Sequence, residues 1–235
     1  MLSAEPIAIA SPIPRVSLWW CSLALATTEI ASIERWLSEA EHTRMNRFGN
    51  DALRARYAAG RASLRWLLGR TLDIEPGRVP IVRGTRGRPR LATTDDIDFN
   101  VSHTADAALI AIAELTRIGV DIEREDRVIN VDGIARKFLT PRERAALAPL
   151  DPDAARRRVL RLWTCKEASS KATGDALSAP FARIDIEIEP QLRLADGPPP
   201  YTPSDWSMHA VEAPSGFLGT IALWQTRNGS HDPAN

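Results

Sequence analysis

The rhythm of apolar and polar residues changes several times along the chain, and each change predicts an element. After a loose leader at residues 1–14, apolar residues run almost unbroken from Val16 to Leu25, which predicts a buried strand. Thr28 then opens a helix whose apolar side carries Trp36 and Leu37, and Ser38 starts a further basic segment reaching Phe48. Leu53, Tyr57, Leu64, Leu67 and Leu68 recur at helical spacing and predict a long helix over 51–72. Short apolar pairs with glycines follow, the pattern of strands and turns. Residues 99–113 then read as a buried strand, turning at Thr116-Arg117 into 118–123 to close a hairpin.

Helical spacing returns over 131–138, over 141–147 with Thr140 as cap and Pro141 at the first position, and over 154–173. Alternation of Ile184, Ile186 and Ile188 with acids predicts a strand, and 206–211 and 217–224 predict two more. Residues 226–235 read as a frayed tail. The order strand, helices, strands thus occurs twice, with a break near Arg117. It predicts an α+β architecture of two similar halves, residues 1–117 and 118–235, with the natural site in the cleft between them.

Within the last long helix, LWTCKEASSKATG places Glu167 and Lys171 four apart on one face, with Trp163 a turn earlier. By itself that pair reads as an exposed ion pair worth about 0.2–0.5 kcal/mol. The opposite face, Cys165, Ala168, Ser169 and Ala172, is small enough for a neighbouring element to come close, and Gly174 ends the helix.

Charge adds an asymmetry. Acids and bases balance at 30 each, so nothing global attracts nucleic acid or an anionic membrane. Arginines dominate residues 35–90, however, while Asp121, Glu123, Glu125 and Asp126 form an acidic knot. Cys21 and Cys165 are too few for a disulfide framework or a zinc site, which fits a reducing, cytoplasmic compartment. No apolar run reaches membrane-spanning length, and SLWWCSLALA starts too late and lacks the basic leader of a signal peptide.

In GVDIE, Asp121 and Glu123 leave one face of a strand while Val120 and Ile122 enter the core. Converging with Glu167, they would make a hard oxygen site suited to Mg2+, with Mn2+ as the alternative. RIDIE at 183–187 has the same alternation and is a rival. FNVSHT puts Ser102 and His103 together without any G-x-S-x-G, which disfavours a serine hydrolase and suits a histidine near phosphate. The turn Gly87-Arg88-Pro89, beside Arg83 and Arg86, is a candidate anion-binding loop.

RGRPRL, FNVSHT, GVDIE, FLTPRERAAL and LWTCKEASSKATG occur in the order and approximate spacing of the Sfp-type 4'-phosphopantetheinyl transferases, and on these motifs, which lie between Glu39 and Leu177, the chain resembles that family. The resemblance implies coenzyme A and Mg2+ in a cleft between two similar halves. It implies attack by a serine of an apo acyl, peptidyl or aryl carrier protein on the β-phosphate of coenzyme A, releasing adenosine 3',5'-bisphosphate.

Asp121, Glu123 and Glu167 match the metal ligands. Glu167 is also the candidate base, directly or through water, and Lys171 would meet the phosphate. Ser102 and His103 match the phosphate-binding pair, Arg44 the 3'-phosphate site, and Arg88 with Pro89 the Gly-Lys-Pro turn. Arg61 and Arg65 are further coenzyme candidates, and Lys166 either touches phosphate or supports the fold. Residues 124–139, with Val131, Phe138 and Leu139, would line the carrier's approach, and Arg156, Arg157, Arg158 and Arg161 would meet an acidic carrier helix. Two departures stand out: Arg88 replaces lysine, and Ala176 stands where the family has a second glycine. The expected protein is a monomer. A metal-dependent phosphoester hydrolase and a non-catalytic coenzyme A binder are the alternatives.

Overall fold

A computed structural model describes residues 5–24, 27–84 and 86–225, the side chains of 27–29 excepted. Leu25 and the tail from 226 lie outside the described residues. Strand β1 (Ile7–Ile9) pairs antiparallel with β2 (Val16–Ser22), so part of the expected loose leader is an edge strand. Helix α1 (Thr27–Glu34) is followed by α2 (Glu39–Met45), where Ser38 and Glu41 form a reciprocal capping box. The 22-residue α3 (Asp51–Leu72) starts at Asn50, whose side chain accepts from the Leu53 amide, and ends on left-handed Asp73.

The hairpin β3 (Ile81–Arg83) and β4 (Pro89–Leu91) leads into β5 (Ile97–Thr104), β6 (Ala107–Glu114) and β7 (Arg117–Arg124). Here the structure corrects the sequence reading. Residues 99–113 are not one strand but the hairpin β5–β6, turning at Ala105 with φ 49°. β7 does not pair with β6; it crosses to a second sheet and pairs with the last strand.

That second sheet follows α4 (Val131–Phe138), α5 (Pro141–Ala145, with the expected Thr140 cap) and the 22-residue α6 (Pro152–Thr173). Then come the hairpin β8 (Asp185–Glu187) and β9 (Arg193–Asp196), and β10 (Trp206–Val211) with β11 (Phe217–Trp224). No described helix is long and apolar enough to cross a membrane.

The duplication lies in the pairing. In the first sheet β2 pairs β6 and β6 pairs β5; in the second β7 pairs β11 and β11 pairs β10. Each half therefore has a first strand, two short helices, one long helix, a small hairpin and a final hairpin whose last strand returns to the first. The sheets pack on each other through Leu18, Leu109 and Ala111 against Val120, Ile122 and Ile221. α3 covers the outer face of the first with Leu64, Leu67 and Leu68, and α6 covers the second with Leu162, Cys165 and Ala168.

Gly119 explains how close α6 comes. A Cβ there would lie 1.9 Å from the Ala168 carbonyl oxygen and 2.7 Å from the Ala172 amide nitrogen. The small face predicted for this helix is the one that meets β7, and Lys171, flanking that face, is thereby held within reach of Asp121 on the same strand.

Candidate active site

β5 and β7 lie side by side, yet they are joined by side chains in place of a backbone ladder. The Ile118 amide donates to Asp98 Oδ2 at 2.8 Å, the Val120 amide to Asn100 Oδ1 at 3.1 Å and the Ile122 amide to Ser102 Oγ at 3.3 Å. Three alternate polar residues of β5 thus satisfy the edge donors of β7, which would otherwise be buried unpaired. Arg88 ties the upper end of this seam, donating to both Asp98 oxygens at 2.6 and 2.7 Å, to the Ile118 carbonyl at 2.7 Å and to the Lys171 carbonyl at 2.8 Å.

The lower end is the chemical centre. Ser102 Oγ donates to Asp121 Oδ1 at 2.7 Å, and Lys171 Nζ, from α6, donates to that same oxygen at 2.7 Å and to Ser102 Oγ at 3.0 Å. Asp121 and Glu123 are buried on the face of β7 turned toward α6. Glu123 pairs with Arg127 from the turn after the strand. Burial holds the Glu167 carboxyl above its ordinary range, opposed by Lys171 and reinforced by the charges of Asp121 and Glu123. Burial raises Glu123 likewise, opposed chiefly by Arg127.

Among the described residues no group of three His, Cys, Asp or Glu side chains could hold a metal ion as it stands. The donor set nevertheless fits a hard divalent cation in two respects. Asp121 Oδ2 is buried with no hydrogen-bond partner, a condition that costs about 1–3 kcal/mol unless something meets it. And three carboxylates that feel one another's charge form a cluster a cation would relieve. The rival RIDIE segment is already committed: Asp185 accepts from Thr140 and Arg142, and Glu187 pairs with Arg193.

Beside this centre a cavity of about 1020 Å³ opens between α2, α3 and the β3–β6 strands. Arg44, Pro89 and His103 line it, as do Arg47, Arg61 and Arg83, with Phe48 and Tyr57 among its apolar walls. His103 faces this cavity because it alternates with Ser102 along β5. Part of the arginine-rich stretch of residues 35–90 thus faces the cavity, although Arg61 is paired there with Glu41.

Several sequence candidates have other work. Lys166 is 0% exposed and lies on the far side of α6; it pairs with Glu143 at 2.9 Å and donates to the carbonyls of Phe181 and Ile184. It is a strut of the second core and cannot meet a phosphate. Arg65 is also buried, bound to Glu41 at 2.6 Å and to the Val79 carbonyl at 3.0 Å. Arg88 spends its guanidinium on the seam, so the charge of the turn is internal.

On the proposed carrier side, Arg156 and Arg157 pair with Asp153, Arg158 with Glu189, and Arg161 donates to the Gly219 carbonyl. They are not a free basic face. Leu139 is buried, and Phe138 packs on Trp163 and Phe181 with centroids 5.0 and 5.7 Å away. Sequence reasoning missed Asp98 and Asn100, although the polar period of two through Asp98, Asn100 and Ser102 was a readable signal.

Comparison with known proteins gives matches along most of the chain. Residues 117–215 match the family described as the 4'-phosphopantetheinyl transferase superfamily, and residues 25–115 match 4'-phosphopantetheinyl transferase, N-terminal. The chain is 35% identical over 221 residues to 4'-phosphopantetheinyl transferase HetI of Nostoc sp., covering 90% of each chain. It is 25% identical over 168 residues to a 4'-phosphopantetheinyl transferase of Bacillus subtilis, covering 70% of this chain and 74% of that one. Among solved structures, a holo-(acyl-carrier-protein) synthase from Bacillus anthracis in complex with CoA (3',5'-ADP) aligns with a TM-score of 0.39 at 21% identity, over 48% of this chain and 98% of that one.

Proposed function

The chain belongs to the 4'-phosphopantetheinyl transferase family, and from that premise we propose that it moves the phosphopantetheine arm of coenzyme A onto a serine of an apo acyl, peptidyl or aryl carrier protein. The observation that carries the reading is the Lys171 ammonium bridging Asp121 and Ser102 at the foot of the seam, with a buried Asp121 oxygen left over. A binding half, residues 1–117, supplies the cavity, and a chemical half, 118–235, supplies the acids and the lysine.

Arg44, Arg47 and His103 hold the anionic end of the coenzyme in the cavity, where guanidinium groups suit phosphate oxygens. Asp121, Glu123 and Glu167 would hold Mg2+, which when bound neutralises the charge of the diphosphate. The carrier serine Oγ attacks the β-phosphorus, and the bond from that phosphorus to the bridging oxygen breaks. Adenosine 3',5'-bisphosphate leaves. Glu167, raised above the ordinary carboxylate range by burial, takes the serine proton. Lys171 offers its ammonium to the phosphate oxygens, and Ser102 keeps it aimed.

The test is intact-mass spectrometry of an apo carrier incubated with the protein, coenzyme A and Mg2+. A phosphopantetheine mass gain is expected, absent with EDTA and absent with Glu167→Ala or Asp121→Ala. Near-normal turnover by either variant would refute the role given to these acids. No gain on acyl, peptidyl or aryl carriers would refute the reaction, and release of phosphate from small esters would favour a hydrolase.

A further inference from the structure

The acidic centre already contains two internal cations, and they differ. Lys171 comes from the rigid body of α6 and touches both Asp121 and Ser102. Arg127 comes from the turn that follows β7 and reaches back four residues to Glu123. The Arg127 side chain is 46% exposed whereas that of Glu123 is 10% exposed, and no other ion pair involves either residue among the described residues. The arginine can return to water cheaply, but the buried carboxylate left behind would keep only the Trp163 side chain and the shared Lys171 charge to offset its burial and the neighbouring Asp121 charge. Departure of Arg127 is therefore favoured by the arrival of another cation.

From this asymmetry we propose that Arg127 is an exchangeable counter-ion, neutralising Glu123 before a divalent cation binds and giving the carboxylate up to that cation. The inference rests on reading Asp121, Glu123 and Glu167 as the cation-binding acids. Its consequence is competition: each favourable contact that Arg127 makes with Glu123 is lost on metal entry, so metal affinity is lowered by that factor. Arg127 is a positioning residue, acting on the metal ligand and not on the reacting atoms.

The experiment is titration of the coenzyme-free protein with Mn2+, reading free Mn2+ by electron paramagnetic resonance, for wild type, Arg127→Met and Arg127→Lys. Arg127→Met should bind Mn2+ about fivefold more tightly at low salt, the scale of a half-exposed pair. Arg127→Lys, keeping charge, should restore most of the wild-type affinity. The gap should shrink as salt is added, because the pair is partly open to solvent. In a Glu123→Gln background the Arg127→Met gain should vanish. Equal or weaker binding by Arg127→Met, with wild type binding normally, would overturn the exchange while leaving the metal reading intact. Absence of Mn2+ binding in every variant would overturn both together.

Discussion

Gly119→Ala would separate the helix that carries Glu167 and Lys171 from the strand that carries Asp121 and Glu123. The added Cβ would meet the Ala168 carbonyl oxygen at 1.9 Å, whereas real Cβ atoms essentially never come nearer than 3.0 Å. The obstacles, Ala168 O and Ala172 N, are backbone, so no rotamer change relieves them. α6 must lift from β7 by more than about 1 Å at this point, in an interior packed like a crystal. Overpacking of this kind costs roughly 1–3 kcal/mol and occasionally more. At about 2–4 °C per kcal/mol for a chain of this size, melting should fall by roughly 2–12 °C.

The same lift carries Lys171 Nζ away from Asp121, now 2.7 Å distant, out of hydrogen-bond range. A displacement near an ångström in such a site costs on the order of a hundredfold in rate. Thermal unfolding by circular dichroism and single-turnover transfer by intact mass would measure both. A variant melting within about 2 °C of wild type and transferring within about threefold would refute the claim that this close approach sets the site.

Lys166→Met should cost about 3–5 kcal/mol by stranding buried Glu143, seen as a lower denaturation midpoint, without changing coenzyme A affinity measured by calorimetry on the folded protein. Asn100→Ala should cost about 1–3 kcal/mol by orphaning the Val120 amide; hydrogen exchange at that amide should speed up, and no change there would refute the seam. Glu41 is held below the usual glutamate range: burial opposes ionisation, but Arg61, the Ser38 amide and Arg65 outweigh it. Its folded value is depressed, so its contribution is full above the unfolded value and is lost as pH falls from about 4.5 through the lower folded one. Glu41→Gln should therefore be less stable than wild type at neutral pH, with the gap narrowing in acid; a constant gap in pH-dependent unfolding would contradict the pairing.

Local chemistry carried much of the fold into the sequence. The bounds of α3, α4, β10 and β11, the caps at Ser38, Thr140 and Gly174, and the core-facing Val120 and Ile122 follow from periodicity and capping rules that need only neighbours within a few residues. The departure at Ala176 was legible too: it adopts φ 48°, the left-handed region that a glycine would enter without strain. Pairing was harder. β6 is followed after two residues by β7, yet each pairs elsewhere, because the β7 edge is met by side chains of β5 and its ladder by β11, 93 residues and more downstream in order of contact from Arg124 to Phe217.

The sequence by itself determined the chemistry available: an acid pair on one strand face, a glutamate and a lysine one helical turn apart, and a serine beside a histidine. Those spacings are fixed by the strand and helix repeats. Only the tertiary structure decided which charges remain for a ligand. Arg65, Arg88 and Lys166 look like the other cations in the sequence, but burial demands a partner for each, and Glu41, Asp98 and Glu143 supply it. Arg44, Arg47 and His103 face an open cavity instead. Charge is written residue by residue, whereas its neutralisation depends on what the fold brings within a few ångströms.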